Sequence, residues 1–345
     1  EFLRISYLEV MLLALIPAAL YYWGLLLMVE FDARKFGLKE VALTRTATAG
    51  QMLKAYGYHF VPLVAIVVFL VTGFTAQIAV SAAILTCFLV SFIRPESRFT
   101  PARLLEALKQ GALTVLNVGA ICASAGIIVG IVSLTELGLK LSGIIIDYAG
   151  GSLVMTAVYT GVLLWIIGLA VPITATYIIA AVIAAPALTK LGVPDYAAHM
   201  FIFYYALLSE VSPPTALSPF AAAAITGGNP FKTTMMAWKY TLTAFLLPFI
   251  FTVLPEGKAL LLHWEGISVV SGVWTIVSAF IGIGLLASGC SGWLVRRSTP
   301  LERAITILAA LGFVLPYHVG SLVGAILVAV VLVVQRRAPR KRPPT

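Results

Sequence analysis

Charge is scarce in this chain. Charged residues make up 11% of it and hydrophobic residues 61%, whereas a soluble domain carries about 25% charged residues; an ordinary water-soluble fold is excluded. Acidic residues are scarcer than basic ones, with 14 Asp and Glu against 23 Lys and Arg and a formal net charge of +9. In so apolar a chain that excess reads as loop charge on the cytoplasmic side of a membrane and not as a nucleic-acid footprint. Cysteine is nearly missing. Cys87, Cys122 and Cys290 lie in separate apolar segments without CxxC spacing, which signals neither a disulfide framework nor a zinc site. The sequence contains no HExxH, P-loop or dinucleotide fingerprint, so no metalloprotease or ATP-driven chemistry is indicated. No charged leader with a small-residue cleavage site precedes the first apolar run, and the chain opens at Glu1. The expectation is the later part of a longer polypeptide.

What remains is apolar sequence in runs long enough to cross a hydrocarbon core of about 30 Å. The predicted fold class is all-α: a polytopic membrane protein with a re-entrant helical hairpin and a broken transmembrane helix. Tyr7 to Val29 is the first span, with Pro17 inside it and Glu9 near its interface. Residues 30 to 57 form a polar connection whose Arg34, Lys35, Lys39, Arg45 and Lys54 place it on the cytoplasmic side. His59 to Ile93 is too long for one span and folds as two short helices about Thr72-Gly73-Phe74-Thr75; Arg94, Arg98, Arg103 and Lys109 return it to the same side. Thr100 to Lys109 has Thr as N-cap, Pro101 in the first turn and a Leu104, Leu105, Leu108 face, the pattern of an interfacial arm. Gly111 to Leu134 is a small-residue span, with Asn117 and Ser124 as interhelical hydrogen-bonding groups. Glu136, Lys140 and Asp147 bracket a connection at the membrane edge. Further spans are expected from Lys232 to about Val253 and from Ile267 to Leu294, followed by a second hairpin, Arg303 to Val334, broken at Pro316-Tyr317-His318.

The centre of the reading lies between Gly168 and Gly228. Gly168-Leu169-Ala170-Val171-Pro172 interrupts one apolar run, and Ser209-Glu210-Val211-Ser212-Pro213-Pro214-Thr215 interrupts another about 40 residues later. Irregular backbone at membrane depth persists only where it is buried in protein or lines a polar cavity. Two consecutive prolines remove two backbone donors and free the carbonyls before them. Freed carbonyls and hydroxyls are cation ligands, and paired helix breaks are the usual binding-site construction of secondary transporters. The candidate binding residues are therefore Gly168, Pro172, Thr174, Thr176 and Tyr177 at the first break. At the second they are Ser209, Glu210, Ser212, Pro213, Pro214 and Thr215. A Na⁺ site is expected near Ser212, Thr215 and Gly168. Thr174 and Thr176 have the alternative of bonding to their own helix carbonyls. Glu210 reads either as a coupling-ion ligand or proton carrier, because an unpartnered carboxylate in apolar surroundings costs several kcal/mol, or as a structural acceptor for backbone N–H groups at the break. His199 reads as a packed or interfacial histidine, and Phe201, Phe203, Tyr204 and Tyr205 as core.

Two readings compete with transport. Gly289-Cys290-Ser291-Gly292 fits the GxSG nucleophile pattern of rhomboid intramembrane proteases, with His318 as the base a serine would need. The other is a membrane scaffold without transport activity.

The region from Gly111 to about Pro255 resembles the second half of the large membrane subunit of tripartite ATP-independent periplasmic transporters, and most of all the fused permeases of their TAXI subgroup. The resemblance rests on Thr135-Glu136-Leu137-Gly138-Leu139-Lys140, on Gly168 to Tyr177, on Ala185-Pro186-Ala187-Leu188 with Gly192-Val193, and on His199-Met200-Phe201 with Phe203-Tyr204. Ser212-Pro213-Pro214-Thr215-Ala216, Pro248-Phe249 and Pro17-Ala18-Ala19-Leu20-Tyr21-Tyr22 add to it. The family usually has Thr-Pro-Pro-Val at Ser212 to Thr215 and Pro-Thr-Thr at Pro172 to Thr174, and its first inverted repeat is not visible here. The resemblance implies half of an inverted-repeat, elevator-type secondary transporter of a bacterial inner membrane, taking up organic acids such as dicarboxylates or glutamate. It would use Na⁺ or H⁺ as coupling ion and no cofactor. Its partners would be a TAXI-type periplasmic solute-binding protein, the lipid bilayer and the remaining N-terminal part of the fused permease. On this basis residues 1–110 are scaffold helices and an amphipathic arm. Residues 111–255 are a transport-domain half with the hairpin at about 153–190, the broken helix at about 196–226 and a closing span. Residues 256–335 are additional transmembrane helices, and 336–345 a basic disordered tail.

Overall fold

The computed structural model describes residues 2–37, 48–169, 171–214, 216–314 and 318–337, with residues 49, 117 and 318 described by backbone only. Lys39 and Arg45, the Asn117 side chain, Thr215, Pro316-Tyr317 with the His318 side chain, and the tail from 338 onward lie outside the described residues. Among the described residues the regular structure is helical, apart from one isolated bridge between Trp293 and Arg297. Among the described residues, seven helical segments are long and apolar enough to cross a membrane by length and composition. The chain divides into two compact units, residues 1–11 with 39–121 and residues 12–38 with 122–345.

Four helices run through the first unit or into it: α1 (Tyr7–Phe36), α2 (Ala49–Tyr56), α3 (Val61–Val71) and α4 (Ala76–Val90), followed by the start of α5 (Pro101–Leu134). A capping box at Thr48 and Gln51 starts α2, and a 3₁₀ turn, Gly57–Phe60, joins it to α3. The predicted reversal lies between α3 and α4, where Gly73 has φ of +89°, a left-handed conformation that suits glycine. Both ends of this hairpin meet: the Arg94 guanidinium lies 4.8 Å from the Tyr56 ring centroid and 6.0 Å from that of Tyr58. Aromatic rings holding guanidinium groups suit a membrane–water boundary. Thr100 Oγ1 accepts the Arg103 N–H at 3.3 Å, as its N-cap position predicts. The arm and the following span do not separate, however. No glycine or proline with left-handed or fixed geometry intervenes, and α5 continues for 34 residues, about 51 Å at ~1.5 Å per residue.

In the second unit α6 (Leu137–Tyr148), α7 (Leu153–Gly168), α8 (Ile173–Thr189), α9 (Asp195–Ser209), α10 (Leu217–Thr226) and α11 (Pro230–Val253) precede α12 (Val269–Ser291), α13 (Pro300–Val314) and α14 (His318–Arg337). The stretch read as a membrane-edge connection is the packed helix α6, lying on α8 with Gly138 so close that a Cβ would come within 2.6 Å of the Val182 carbonyl oxygen. α9 is apolar over most of its surface and correspondingly buried, with ten of its residues between Ala197 and Ser209 enclosed and Phe203 and Leu207 on the outer face. Phe201 stacks on Tyr205 with centroids 4.9 Å apart and meets Phe249 edge-on at 5.5 Å. Leu164, Leu188, Ile202, Leu247 and Ile250 complete this core.

α1 extends beyond the predicted end of its span, through Phe36. A Glu30–Arg34 pair supports the added turn on the outside, and on the inside Asp32 is buried against Lys239 of α11, whose Nζ donates to Oδ1 at 2.7 Å and Oδ2 at 2.6 Å. At the far end of the chain, Gln335 of α14 accepts from the Val295 and Arg296 N–H groups and donates to Ser298 and Glu302, while Arg296 pairs with Glu302 at 2.8 Å.

Removing one partner of a buried ion pair costs about 3–5 kcal/mol, because the other charge is left uncompensated. Asp32→Asn is therefore expected to lower the thermal unfolding midpoint of the detergent-solubilised protein clearly. Asp32→Asn with Lys239→Met should recover most of that loss, and an unchanged midpoint in the single variant would contradict the pairing.

Candidate functional site

Both predicted interruptions are helix breaks. α7 ends at Gly168, and α8 starts after Pro172, which stands in the extended conformation at its N-cap. Pro172 O accepts the Thr176 N–H at 2.9 Å, and Thr176 Oγ1 donates to Val171 O at 3.1 Å, so Thr176 closes the loop between the two helices. α9 ends at Ser209, and α10 starts at Leu217 after a cis Pro213-Pro214 peptide.

The two breaks meet at Gly168. A Cβ on Gly168 would collide with Ser209 Oγ, lie 2.5 Å from Ser209 Cβ and sit 3.4 Å from Thr176 Cγ2. Seven residues earlier, Gly161 holds the same face of α7 against Tyr205, where a Cβ would be 2.8 Å from the ring. α7 and α9 thus lie side by side with their C-terminal ends together. Each helix C-terminus carries about half a negative charge on its unpaired carbonyls.

The hydroxyls here are oriented alike. Ser209 Oγ donates to Ala206 O, and Ser212 Oγ to Leu208 O, both at 2.8 Å. Thr176, Ser209 and Ser212 are all buried. A hydroxyl that gives its proton to a carbonyl keeps its lone pairs outward, and such oxygens, with the carbonyls of a helix end, suit a hard cation. Among the described residues no three His, Cys, Asp or Glu side chains cluster as a metal site.

The other candidates are placed differently. Pro172 and Thr174 are exposed, as is Pro214, and Pro213 is half-buried. Glu210 is half-buried rather than enclosed, and its Oε1 accepts from Ser218 Oγ at 3.1 Å, linking α10 back across the break. Tyr177 turns along α9, its hydroxyl 2.9 Å from His199 Nδ1 and its ring edge-on to Phe203. His199 thus joins the surroundings of the site although the sequence reading set it aside. Nothing in the neighbouring sequence signals this, because Tyr177 belongs to α8 and His199 to α9. One turn before Gly168, Trp165 stacks on Trp238 of α11 at 6.4 Å.

The protease reading fails on geometry. Ser291 ends α12 fully buried, and the loop after it is held by Gln335, whereas His318 starts α14 at the other end. Seventeen residues of helix separate His318 from Gln335, about 26 Å at ~1.5 Å per residue, far beyond a hydrogen bond.

A family model described as "Tripartite ATP-independent periplasmic transporter, DctM component" matches residues 2–257. No curated protein and no solved structure matches the chain.

Overpacking of a close helix contact costs about 1–3 kcal/mol. Gly168→Ala should lower the unfolding midpoint accordingly, and Ser209→Gly, which removes both colliding atoms, should restore much of it in the double variant. Additive losses would show that the two residues are not in contact.

Proposed function

The chain belongs to the DctM component family of tripartite ATP-independent periplasmic transporters, and on that premise we propose an ion-coupled uptake mechanism centred on the two helix breaks. The family is one of transporters and not of enzymes, and the protein is a multi-pass membrane permease component working with a periplasmic solute-binding protein. The observation that carries the mechanistic reading is the contact of Gly168 with Ser209, because it brings two helix C-termini together beside the buried Ser209 and Thr176 side chains.

Helix ends sort charge. The C-termini of α7 and α9 favour a cation, while the N-termini of α8 and α10, across the same breaks, favour an anion. In this reading the coupling ion is Na⁺, bound at Gly168, Ser209 and Ser212, whereas coupling to H⁺ would need the Glu210 carboxylate as its carrier. The carboxylate of an organic acid, a dicarboxylate or glutamate, faces the half-helix starts near Thr174, Thr176 and Ala216. Cation and substrate then neutralise each other and the breaks together, which couples their binding. The hairpin α7–α8 would be re-entrant, and it would move with α9–α10 as one body in an elevator step. The partner would be of the TAXI type, the membrane the bacterial inner membrane, and the remaining half of the site would come from an N-terminal part of the permease. Glu210, paired with Ser218 at the rim, acts here as a brace between α9 and α10 rather than as the proton carrier.

The test is substrate uptake into proteoliposomes by the permease with its solute-binding protein, driven by a Na⁺ or a pH gradient, for wild type and Glu210→Gln. Na⁺-driven uptake that survives in the variant supports the hydroxyl-and-carbonyl site with Glu210 as brace. Uptake driven only by the pH gradient and abolished in the variant would make Glu210 the proton carrier, and absence of uptake under either gradient would overturn ion coupling.

A further inference from the structure

Beyond the helix breaks, the second unit gathers cations where α1 and α12 reach their ends. Lys35 Nζ donates to Ser291 O at 2.6 Å, and Arg303 donates through Nε to Gly289 O and through Nη2 to Cys290 O, each at 2.9 Å. The last carbonyls of α12 are thus held by two cations, as its macrodipole favours. The charged groups that act on Lys35 are Lys239, Asp32, Arg303 and Arg297. Four cations therefore share one carboxylate, and that carboxylate already receives Lys239 on both oxygens.

The other nearby acid, Glu302, is taken by Arg296. Among the described residues no carboxylate lies within ion-pair distance of Lys35, Arg297 or Arg303. Toward the described residues, donors remain unspent as well. An ammonium has three N–H groups and a guanidinium five, so one bond from Lys35 and two from Arg303 leave several. Arg297 is exposed beside them.

The position is a membrane edge. α1 and α12 are both spans by length and hydropathy, ending at Phe36 and Ser291. Phe36 is exposed, with its ring centroid 5.5 Å from Lys35 Nζ, and Trp293 follows the end of α12. Aromatic residues at this level line the headgroup region, and basic groups between helices there are suited to anionic headgroups. Arg336 and Arg337 end α14 on the same side, next to Gln335.

We propose that Lys35, Arg297 and Arg303 form a binding site for the phosphodiester headgroup of an anionic phospholipid, seated against Phe36 and Trp293 where α1 and α12 leave the membrane. The phosphate supplies the negative charge that the protein's own carboxylates do not. The lipid thereby tethers the end of α1 to the α12–α13 hairpin.

The test measures the unfolding midpoint of the detergent-solubilised protein against added phosphatidylglycerol, phosphatidylcholine or inorganic phosphate, for wild type, Arg297→Gln and Arg297→Lys. Phosphatidylglycerol should raise the midpoint, with phosphatidylcholine and inorganic phosphate at equal concentration giving little. One basic residue near an anionic surface contributes about 1 kcal/mol, so Arg297→Gln should raise the half-saturating phosphatidylglycerol concentration roughly fivefold, and Arg297→Lys should keep it near wild type. Mass spectrometry of lipid co-purifying with the wild-type protein gives a readout free of any variant and should find anionic lipid in preference. An equal response to phosphatidylcholine, an equal response to inorganic phosphate, which would mean a free-anion site, or an unchanged half-saturating concentration in Arg297→Gln would each overturn the proposal.

Discussion

α7 and α9 approach so closely that no side chain fits at Gly161 or Gly168, and the arrangement around the helix breaks follows from that approach. Small residues let helix backbones meet where lipid offers no hydrophobic drive to association. With the two helices in register, their ends coincide, and Thr176 can close the first loop against the same spot. Moving α7 outward by the width of one methyl group would separate Gly168 from Ser209 and leave two unrelated interruptions. The core of Phe201, Tyr205 and Phe249 holds the register along α9, with Tyr205 itself lying against Gly161.

Polarity in the second unit is divided between two places that use opposite rules. At the breaks the buried polar side chains are the uncharged Thr176, Ser209 and Ser212, while the acidic Glu210 stays at the rim. At the ends of α1, α12 and α14, several full charges are drawn inward and tied to a carbonyl or carboxylate: Asp32 with Lys239, Arg296 with Glu302, and Arg303 with the end of α12. Uncharged ligands bind a monovalent ion without the strong desolvation of a carboxylate, which suits reversible release. Full charges, once paired, resist separation, which suits a frame.

Local features of the sequence were legible where they act through the backbone. Gly73 marks the first reversal, Thr100 and Pro101 mark the start of α5, and the glycine and proline groups at Gly168–Pro172 and Ser212–Pro214 mark the ends of α7 and α9. Each is a property of a few neighbouring residues. Features made by residues far apart in the chain were not legible. Asp32 and Lys239 are separated by 207 positions, so α1 was cut short at Val29, where its charged turn begins. The same limit applies to Glu210, whose exposure depends on how α10 folds back, and to His199, whose neighbour Tyr177 belongs to another helix. The length of α5 was missed for a different reason: a change from amphipathic to apolar composition does not end a helix unless a residue in it breaks the backbone.

The meeting of two helix C-termini gives the second unit a mechanical property. Like partial charges held side by side push apart, so the contact at Gly168 resembles a latch closed against a spring. Any positive charge between the ends strengthens the latch, and the latch in turn strengthens the hold on that charge, because linked equilibria act equally in both directions. On the proposed reading of the site, occupancy and closure of the hairpin against α9 would be one variable, and a change of ionic conditions alone would alter how stiff this part of the molecule is.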